Sequence, residues 1–375
     1  MRINRRVISL LVGSIIFQMN SPNSSHVITQ KDIAKALGLT QATVSLALRD
    51  DSRIPVQRRI EIQAAAKKMG YRPNPTATTL AYFKQSSKVK PMQAALAWLN
   101  CWQNPGDLHR LQEFELYWQG ARVTAEKFGY HLEEFIWNPA EPFHRLEKIL
   151  TSRGIKGILL PPHNKQPDWG DFQWKNFSTV RFGRSVTIPC IHVVTADQVA
   201  NMILAFESIR QLGYQRIALV AESVARNWHL FEAGYLMAQQ KVDESNRLQI
   251  FRIDQSSVLQ EKIMKDFVRW IKKEKPDAII TSIPETREMV KKAGYHVPEE
   301  ILVAAMSVLD GHSSTGIYQN SGEIGRAAVL LLISMIHDND CGVPELHREI
   351  LIKGKWVDGS TLPPGRKQHR STNTR

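Results

Sequence analysis

The segment TQATVSLALR, Thr40 to Arg49, collects side chains of a restricted kind. Placed on a helix, it turns Val44, Ala47 and Leu48 inward and leaves Gln41, Ala42, Ser45, Leu46 and Arg49 outside. Gln can bond base edges, Ala and Leu can contact thymine methyls, and Thr or Ser hydroxyls can bond phosphates. An outer face of short polar groups therefore suits insertion into a DNA major groove. An ordinary helical hairpin with a polar face is the alternative reading.

The neighbouring sequence supplies elements that would hold such a helix. Thr29 to Asp32 reads T-x-x-D, close to a capping box, and opens a first helix with Ile33, Ala34 and Leu37 on one face. Gly38 permits the tight turn that ends it, Leu39 fills the corner, and Thr40 can cap the second helix. A third helix follows, VQRRIEIQAAAKKMG, Val56 to Gly70, with Ile60, Ala64 and Met69 expected inside and Gly70 as its C-cap. Arg58 and Arg59 lie at its positive end, a misfit that nearby phosphates would relieve. Next comes YRPNPTATTLAYFKQSSKVKP, a linker in which PTATTLAYF has room for one or two helical turns that fold only when held.

Charge separates this region from the rest. Residues 27–90 carry 12 Lys/Arg and 4 Asp/Glu, while residues 91–365 carry 30 and 32. A basic small domain joined to a near-neutral large one points to a polyanion partner for the first alone, with a solvated basic face as the bland alternative. Cys101, Cys190 and Cys341 form no C-x-x-C pair, which argues against zinc and a disulfide framework and fits a reducing cytoplasm. No G-x-S-x-G, H-E-x-x-H, Walker or GxGxxG motif occurs, so neither an enzyme nor a cofactor is expected. The start, MRINRRVISLLVGSIIF, resembles a signal peptide without an A-x-A-like site, and its apolar run is shorter than the ~20 residues that span a bilayer. We read residues 1–26 as an extension with Met19 as a candidate true start; a membrane anchor is the rival reading.

From Gln93 onward, apolar runs such as AALAWL, IKGILLPP, RIALVA, DAIITS and ILVAAMS alternate with amphipathic helices. Repeated strand–helix units imply parallel sheets with helices on both faces, here enough for two sheets and hence two lobes. Ligands of open α/β sheets sit at the carboxyl ends of strands, so the cleft between lobes is the default pocket.

The stretch ITQKDIAKALGLTQATVSLALRDDSRIPVQRRIEIQAAAKKMGYRPNPTATTLA resembles the DNA-binding headpiece of the LacI/GalR family of bacterial transcription regulators. Its marks are the D-I-A-x-x-x-G core, GYRPN and NPTATTLA. The remainder is similar, more loosely, to that family's periplasmic-binding-protein-like core, through YWQGARVTAEKFGYHLEEF, LGYQRIALV and QNSGEIGRAAVLLL. The resemblance implies a small all-α helix-turn-helix headpiece over residues 27–73, a hinge helix and linker over 74–91, a two-lobed α/β core with parallel sheets over 92–364, and a disordered basic tail, 365–375. It implies base reading by Gln41, Ala42 and Leu46 and phosphate contact by Thr40, Thr43, Ser45 and Arg49, to which we add Arg58 from its charge. Asn74 and Ala77 match the hinge pattern, and Leu80 matches the leucine that wedges into the minor groove. A homodimer on a near-palindromic double-stranded DNA operator is the expected assembly, with no membrane partner.

The same resemblance exposes departures in the cleft. The family's sugar-binding carboxylates fall on Val194, Ser282 or Ile283, and Ser307, and its arginine on Phe231, with Arg226 nearby. Asp197 is retained, though capping of the helix QVANMILAF accounts for it as well. Trp98, Trp102, Trp174 and Trp228 offer rings for a sugar face or for the core. Either the small-molecule effector is unlike the usual sugars or the cleft no longer takes one. A transport-type solute-binding protein would share the core but has no use for the headpiece.

Overall fold

The computed structural model describes residues 28–48, 51, 53–71, 94–222, 229–253 and 260–362. Expectations placed on Arg49, Asn74, Ala77, Leu80, Arg226, Trp228, the N-terminal extension and the basic tail fall outside the described residues. The chain divides into two units, Met1–Pro91 and Met92–Arg375.

Among its described residues the first unit has three helices, α1 (Gln30–Leu37), α2 (Gln41–Leu48) and α3 (Val56–Lys68). Asp32 accepts hydrogen bonds from the Thr29 amide (2.8 Å) and hydroxyl (2.7 Å), which fixes the start of α1. Gly38 ends it at φ 63°, a left-handed conformation that a Cβ would disfavour, and the chain turns at once into α2. Ile33, Ala34, Val44, Ala47, Ile62 and Ala66 form the buried core, with Leu37, Leu39, Leu48 and Met69 packed around it. One expectation is corrected here. Ile62 and Ala66, not Ile60 and Ala64, face inward from α3, and Ile60 is 54% exposed. Both pairs have helical spacing, so the sequence pattern leaves the face open. The phase is set by contacts such as Gln63 Nε2, which donates to the Ala47 carbonyl of α2 at 3.0 Å.

The second unit holds two six-stranded sheets. Sheet one has the order β11-β5-β4-β3-β1-β2 and sheet two β12-β10-β9-β8-β6-β7. In chain order the strands are β1 (Ala94–Asn100), β2 (Tyr130–Ile136), β3 (Gly157–Leu160), β4 (Ser178–Phe182), β5 (His192–Ala196), β6 (Ile217–Glu222), β7 (Phe251–Ile253), β8 (Ala278–Thr281), β9 (Leu302–Ala305), β10 (Gly316–Tyr318), β11 (Glu349–Ile352) and β12 (Lys355–Val357). Sheet one is parallel throughout; in sheet two only β12 runs antiparallel, against β10. The helices are α4 (Pro105–Arg110), α5 (Gln112–Lys127), α6 (Phe143–Ser152), α7 (Gln198–Gln211), α8 (His229–Gln239), α9 (Gln260–Glu274), α10 (Thr286–Lys292) and α11 (Ser321–Asp338). Strand alternation sends neighbouring residues to opposite faces. Leu219 and Ile280 join Phe206 of α7 and Tyr235 of α8 in one core. Val220 and Ile279 join Phe267 and Ile271 of α9 in the other.

Three segments pass between the lobes: β5 into α7, β10 into α11, and β11 into β12. They are bonded side by side. The Asp197 amide donates to the Ile352 carbonyl at 2.9 Å, Asn320 Nδ2 to the Lys353 carbonyl at 2.7 Å, and the Gly354 amide to Asn201 Oδ1 at 2.7 Å. Helix α11 returns to the first lobe and packs on α5 through glycines. A Cβ on Gly120 would collide with the Gly322 carbonyl, and one on Gly325 with the Tyr117 carbonyl. Among the described residues no helix is long and apolar enough to cross a membrane.

Candidate nucleic-acid interface and interlobe site

In α2, burial of Val44 and Ala47 fixes the outer face. Gln41 and Ala42 are exposed, and Thr43, Ser45 and Leu46 are half-buried at its margins. Thr40 Oγ1 accepts the Thr43 amide hydrogen at 3.1 Å and lies 2.9 Å from Thr43 Oγ1. Two hydroxyls are thus gathered at the positive end of the helix, and only one of their hydrogens is used between them. Arg58 stands exposed on α3 in an ion pair with Glu61 at 2.8 Å, a surface contact worth about 0–1 kcal/mol and easily exchanged for a phosphate. The face offers an amide, a methyl, hydroxyls and a guanidinium, and no described residue on the outer side of α2 is acidic.

The second set of expected residues is distributed more widely than the sequence reading had it. Trp98, on β1, has no exposed surface; its ring packs against Trp118 (5.4 Å between centroids) and Phe182 (5.2 Å), so it is a core residue and not an open platform. Trp174 packs on Phe172 (4.6 Å) and Trp169 (5.1 Å) just before the amino end of β4, away from the carboxyl ends where ligands sit. Asp197 Oδ1 accepts the Ala200 amide hydrogen at 3.0 Å and caps α7, the bland role foreseen for it. Trp102 follows the carboxyl end of β1, half-buried, with Nε1 donating to the Pro162 carbonyl at 2.8 Å and its ring edge toward Phe114 at 6.5 Å. Ser307 follows β9, is buried, and accepts the Leu309 amide hydrogen at 3.3 Å.

Two carboxylates not singled out in the sequence meet at this level. The first turn of α5, in the first lobe, packs against the 3-10 turn Val308–Asp310 of the second. Glu113 of α5 accepts from Ser321 Oγ at 3.5 Å and also bonds Ser307. Burial, and then the nearby Asp310 carboxylate, push Glu113 up to about 8; burial pushes Asp310 up to about 6. The α5 end is held in place by His109, whose Nδ1 and Nε2 lie 2.7 Å from Glu115 and 3.0 Å from Glu134, and by Asn100, whose Nδ2 donates to Glu134 at 2.9 Å. The missed signal is one of distance along the chain: nothing in a single sequence joins Glu113 to a turn some two hundred residues later. The arrangement can bond hydroxyl groups or a cation, and among the described residues no group of His, Cys, Asp and Glu is arranged to hold a metal.

Comparison with known proteins agrees with both halves of this description. The model for bacterial regulatory proteins of the lacI family matches residues 29–74, and that for a periplasmic binding protein-like domain matches residues 206–362. The HTH-type transcriptional regulator MalR of Staphylococcus xylosus is 38% identical over 289 residues, 75% of this chain and 81% of MalR. The HTH-type transcriptional regulator AglR of Rhizobium meliloti is 27% identical over 197 residues, so that match spans only 51% of AglR's length and 51% of this chain. Among solved structures, a regulatory protein of the LacI family from Chloroflexus aggregans aligns with TM-score 0.54 at 18% identity, covering 71% of this chain and 98% of that one. The complex of the transcriptional regulator CelR with cellobiose aligns with TM-score 0.51 at 17% identity, covering 89% and 99%. At such identities the structural likeness speaks for the fold, a helical N-terminal region followed by a two-lobed α/β core. The relatives are transcriptional regulators and not enzymes, in keeping with the missing catalytic motifs. With a regulator 38% identical across three quarters of this chain and a helix-turn-helix region matched over residues 29–74, the protein belongs to the LacI family of DNA-binding bacterial transcriptional regulators.

Proposed function

We propose that the protein is a homodimeric transcriptional repressor of the cytoplasm that binds a near-palindromic operator and is controlled by a small sugar-related molecule held between the lobes of its core. The observation that carries this reading is the outer face of α2, where Gln41 and Ala42 are exposed above the buried Val44 and Ala47. Gln41, Ala42 and Leu46 read base edges in the major groove; Thr40, Thr43, Ser45, Arg49 and Arg58 hold phosphates. Asn74, Ala77 and Leu80 act in the minor groove, where the Leu80 wedge costs a few kcal/mol of unstacking that wider contact offsets.

For the ligand, the supporting groups are Glu113, Asp310, Ser307 and Ser321, which can accept and donate to hydroxyls, with the Trp102 ring 6.5 Å from that of Phe114, the residue after Glu113. The cellobiose in the CelR complex favours a saccharide. A ligand here would change how α5 meets the Val308–Asp310 turn, hence lobe closure. It can act on DNA binding only through its different affinity for the two states. The test is titration of the full chain onto operator and random duplexes. Leu80→Ala is expected to weaken operator binding strongly while leaving random-duplex binding nearly intact. Equal loss on both would refute the wedge.

A further inference from the structure

At the end of the first-lobe sheet remote from the cleft, a thiol has partners that neither DNA reading nor ligand binding uses. Cys190 is exposed and lies two residues before β5. Its Sγ is 3.3 Å from Nδ1 of His347. The other ring nitrogen of His347 is 3.8 Å from Oε1 of Glu349, the first residue of β11. Glu349 is in turn clasped by both terminal nitrogens of Arg184, at 2.8 and 2.7 Å. Beneath them Arg181 of β4 is only 6% exposed, its Nη1 donates to the Gly183 carbonyl at 2.7 Å, and its Nε has no hydrogen-bond partner. The Arg181 charge acts on Cys190 as well as on Glu349.

A thiol with an imidazole nitrogen 3.3 Å away has a proton acceptor in place, and the buried Arg181 charge acts on the same sulfur. A merely exposed cysteine needs none of these parts, and the same lobe supplies one for comparison. Cys341 is also exposed, and its Sγ has the Ser178 hydroxyl at 3.7 Å as its neighbour. The other charged groups of this corner are Arg348 and Asp340. His192, whose Nδ1 accepts the Arg348 amide hydrogen, is made less basic by burial.

We propose that Cys190 is a nucleophilic thiol and a site of oxidation by hydroperoxides, with His347 as its proton partner. In the step, the thiol proton passes to His347 and Sγ attacks one peroxide oxygen. The S–O bond forms as the O–O bond breaks. Sulfur gives up two electrons and becomes a sulfenic acid, and the departing alkoxide or hydroxide takes the proton back from His347. The guanidinium groups favour the anionic leaving oxygen, which selects an oxidant of this class.

The experiment treats the purified full-length protein with hydrogen peroxide, traps sulfenic acid with dimedone, and maps the labelled peptides. Cys190 is expected to react about tenfold faster than Cys341 of the same molecule at pH 7. His347→Ala should bring Cys190 to the Cys341 rate while leaving the rate of Cys341 itself unchanged. Cys101, buried and pushed up to about 12 by desolvation, stays unlabelled while the fold is intact and so reports unfolding. Should His347→Ala label Cys101, Glu349→Gln replaces it, with slower Cys190 oxidation expected. Equal rates at Cys190 and Cys341 in the native protein, or a variant that leaves the Cys190 rate unchanged with Cys101 protected, would overturn the proposal.

Discussion

The side-chain amide of Asn320 donates to the carbonyl of Lys353 at 2.7 Å, and so joins two of the three segments that pass between the lobes. Asn320 holds a left-handed backbone at φ 58°. Two substitutions separate its roles. Asn320→Gly keeps that conformation and removes the bond, with an expected loss of about 1 kcal/mol. Asn320→Ala adds backbone strain and should lose a further ~1 kcal/mol. Urea midpoints of the core measure both; two native-like midpoints would show that the crossings are held by other means.

Glu113 gives a pH dependence with a definite sign. Its value in the folded protein is raised from 4.5 to about 8, so the folded state binds the proton more tightly than the unfolded chain does. That contribution is fully present below pH 4.5, shrinks as pH rises, and is gone above about 8. Glu113→Gln removes the dependence. Its melting temperature should match the native protein near pH 4 and exceed it near pH 9, by about 2–4 °C for each kcal/mol recovered.

The contact of α5 with α11 is made through backbone, and it should resist any added side chain. Gly325→Ala would drive its Cβ into the Tyr117 carbonyl. Helices pressed this closely separate only by moving as units, so a loss of about 1–3 kcal/mol is expected, read from thermal unfolding. Gly322→Ala, where a Cβ meets nothing within 4 Å, is the matched control and should be nearly neutral.

On the DNA face, Gln41 and Arg58 should behave differently. Gln41→Ala is expected to change preference at one base pair of each half-site by about 1–3 kcal/mol. Arg58→Ala should weaken binding evenly across sequences and reduce the salt slope by about 1. Binding isotherms on single-base operator variants at several salt concentrations tell them apart. A change of base preference in the arginine variant would contradict its assignment to phosphate.

How far these sites can be read from sequence depends on whether their determinants are local. The Thr29–Asp32 cap, the Gly38 turn and the inward set of α2 depend on neighbours within a few residues, and the structure has them as the spacing implied. The inward face of α3 does not, because Ile60 and Ile62 satisfy the same periodicity and packing on α2 chooses between them. Strand β4 escaped notice because STVRF follows a run rich in aromatics and polar residues and has no apolar run of its own. Edge strand β12, three residues long, carries too little pattern to register. In the cleft, the resemblance led to Val194, Ser282 or Ile283, and Ser307, none of them a carboxylate, and passed over Glu113 and Asp310, which come together only when the two lobes meet.

The most direct test of the account is selection of bound sequences from a random duplex pool by the full-length protein. Enrichment of an inverted repeat is expected, with preference lost at one base pair of each half when Gln41→Ala is used. Recovery of duplexes without any common motif, from protein shown to be folded and in the presence of candidate saccharides as well as without them, would contradict sequence reading by α2.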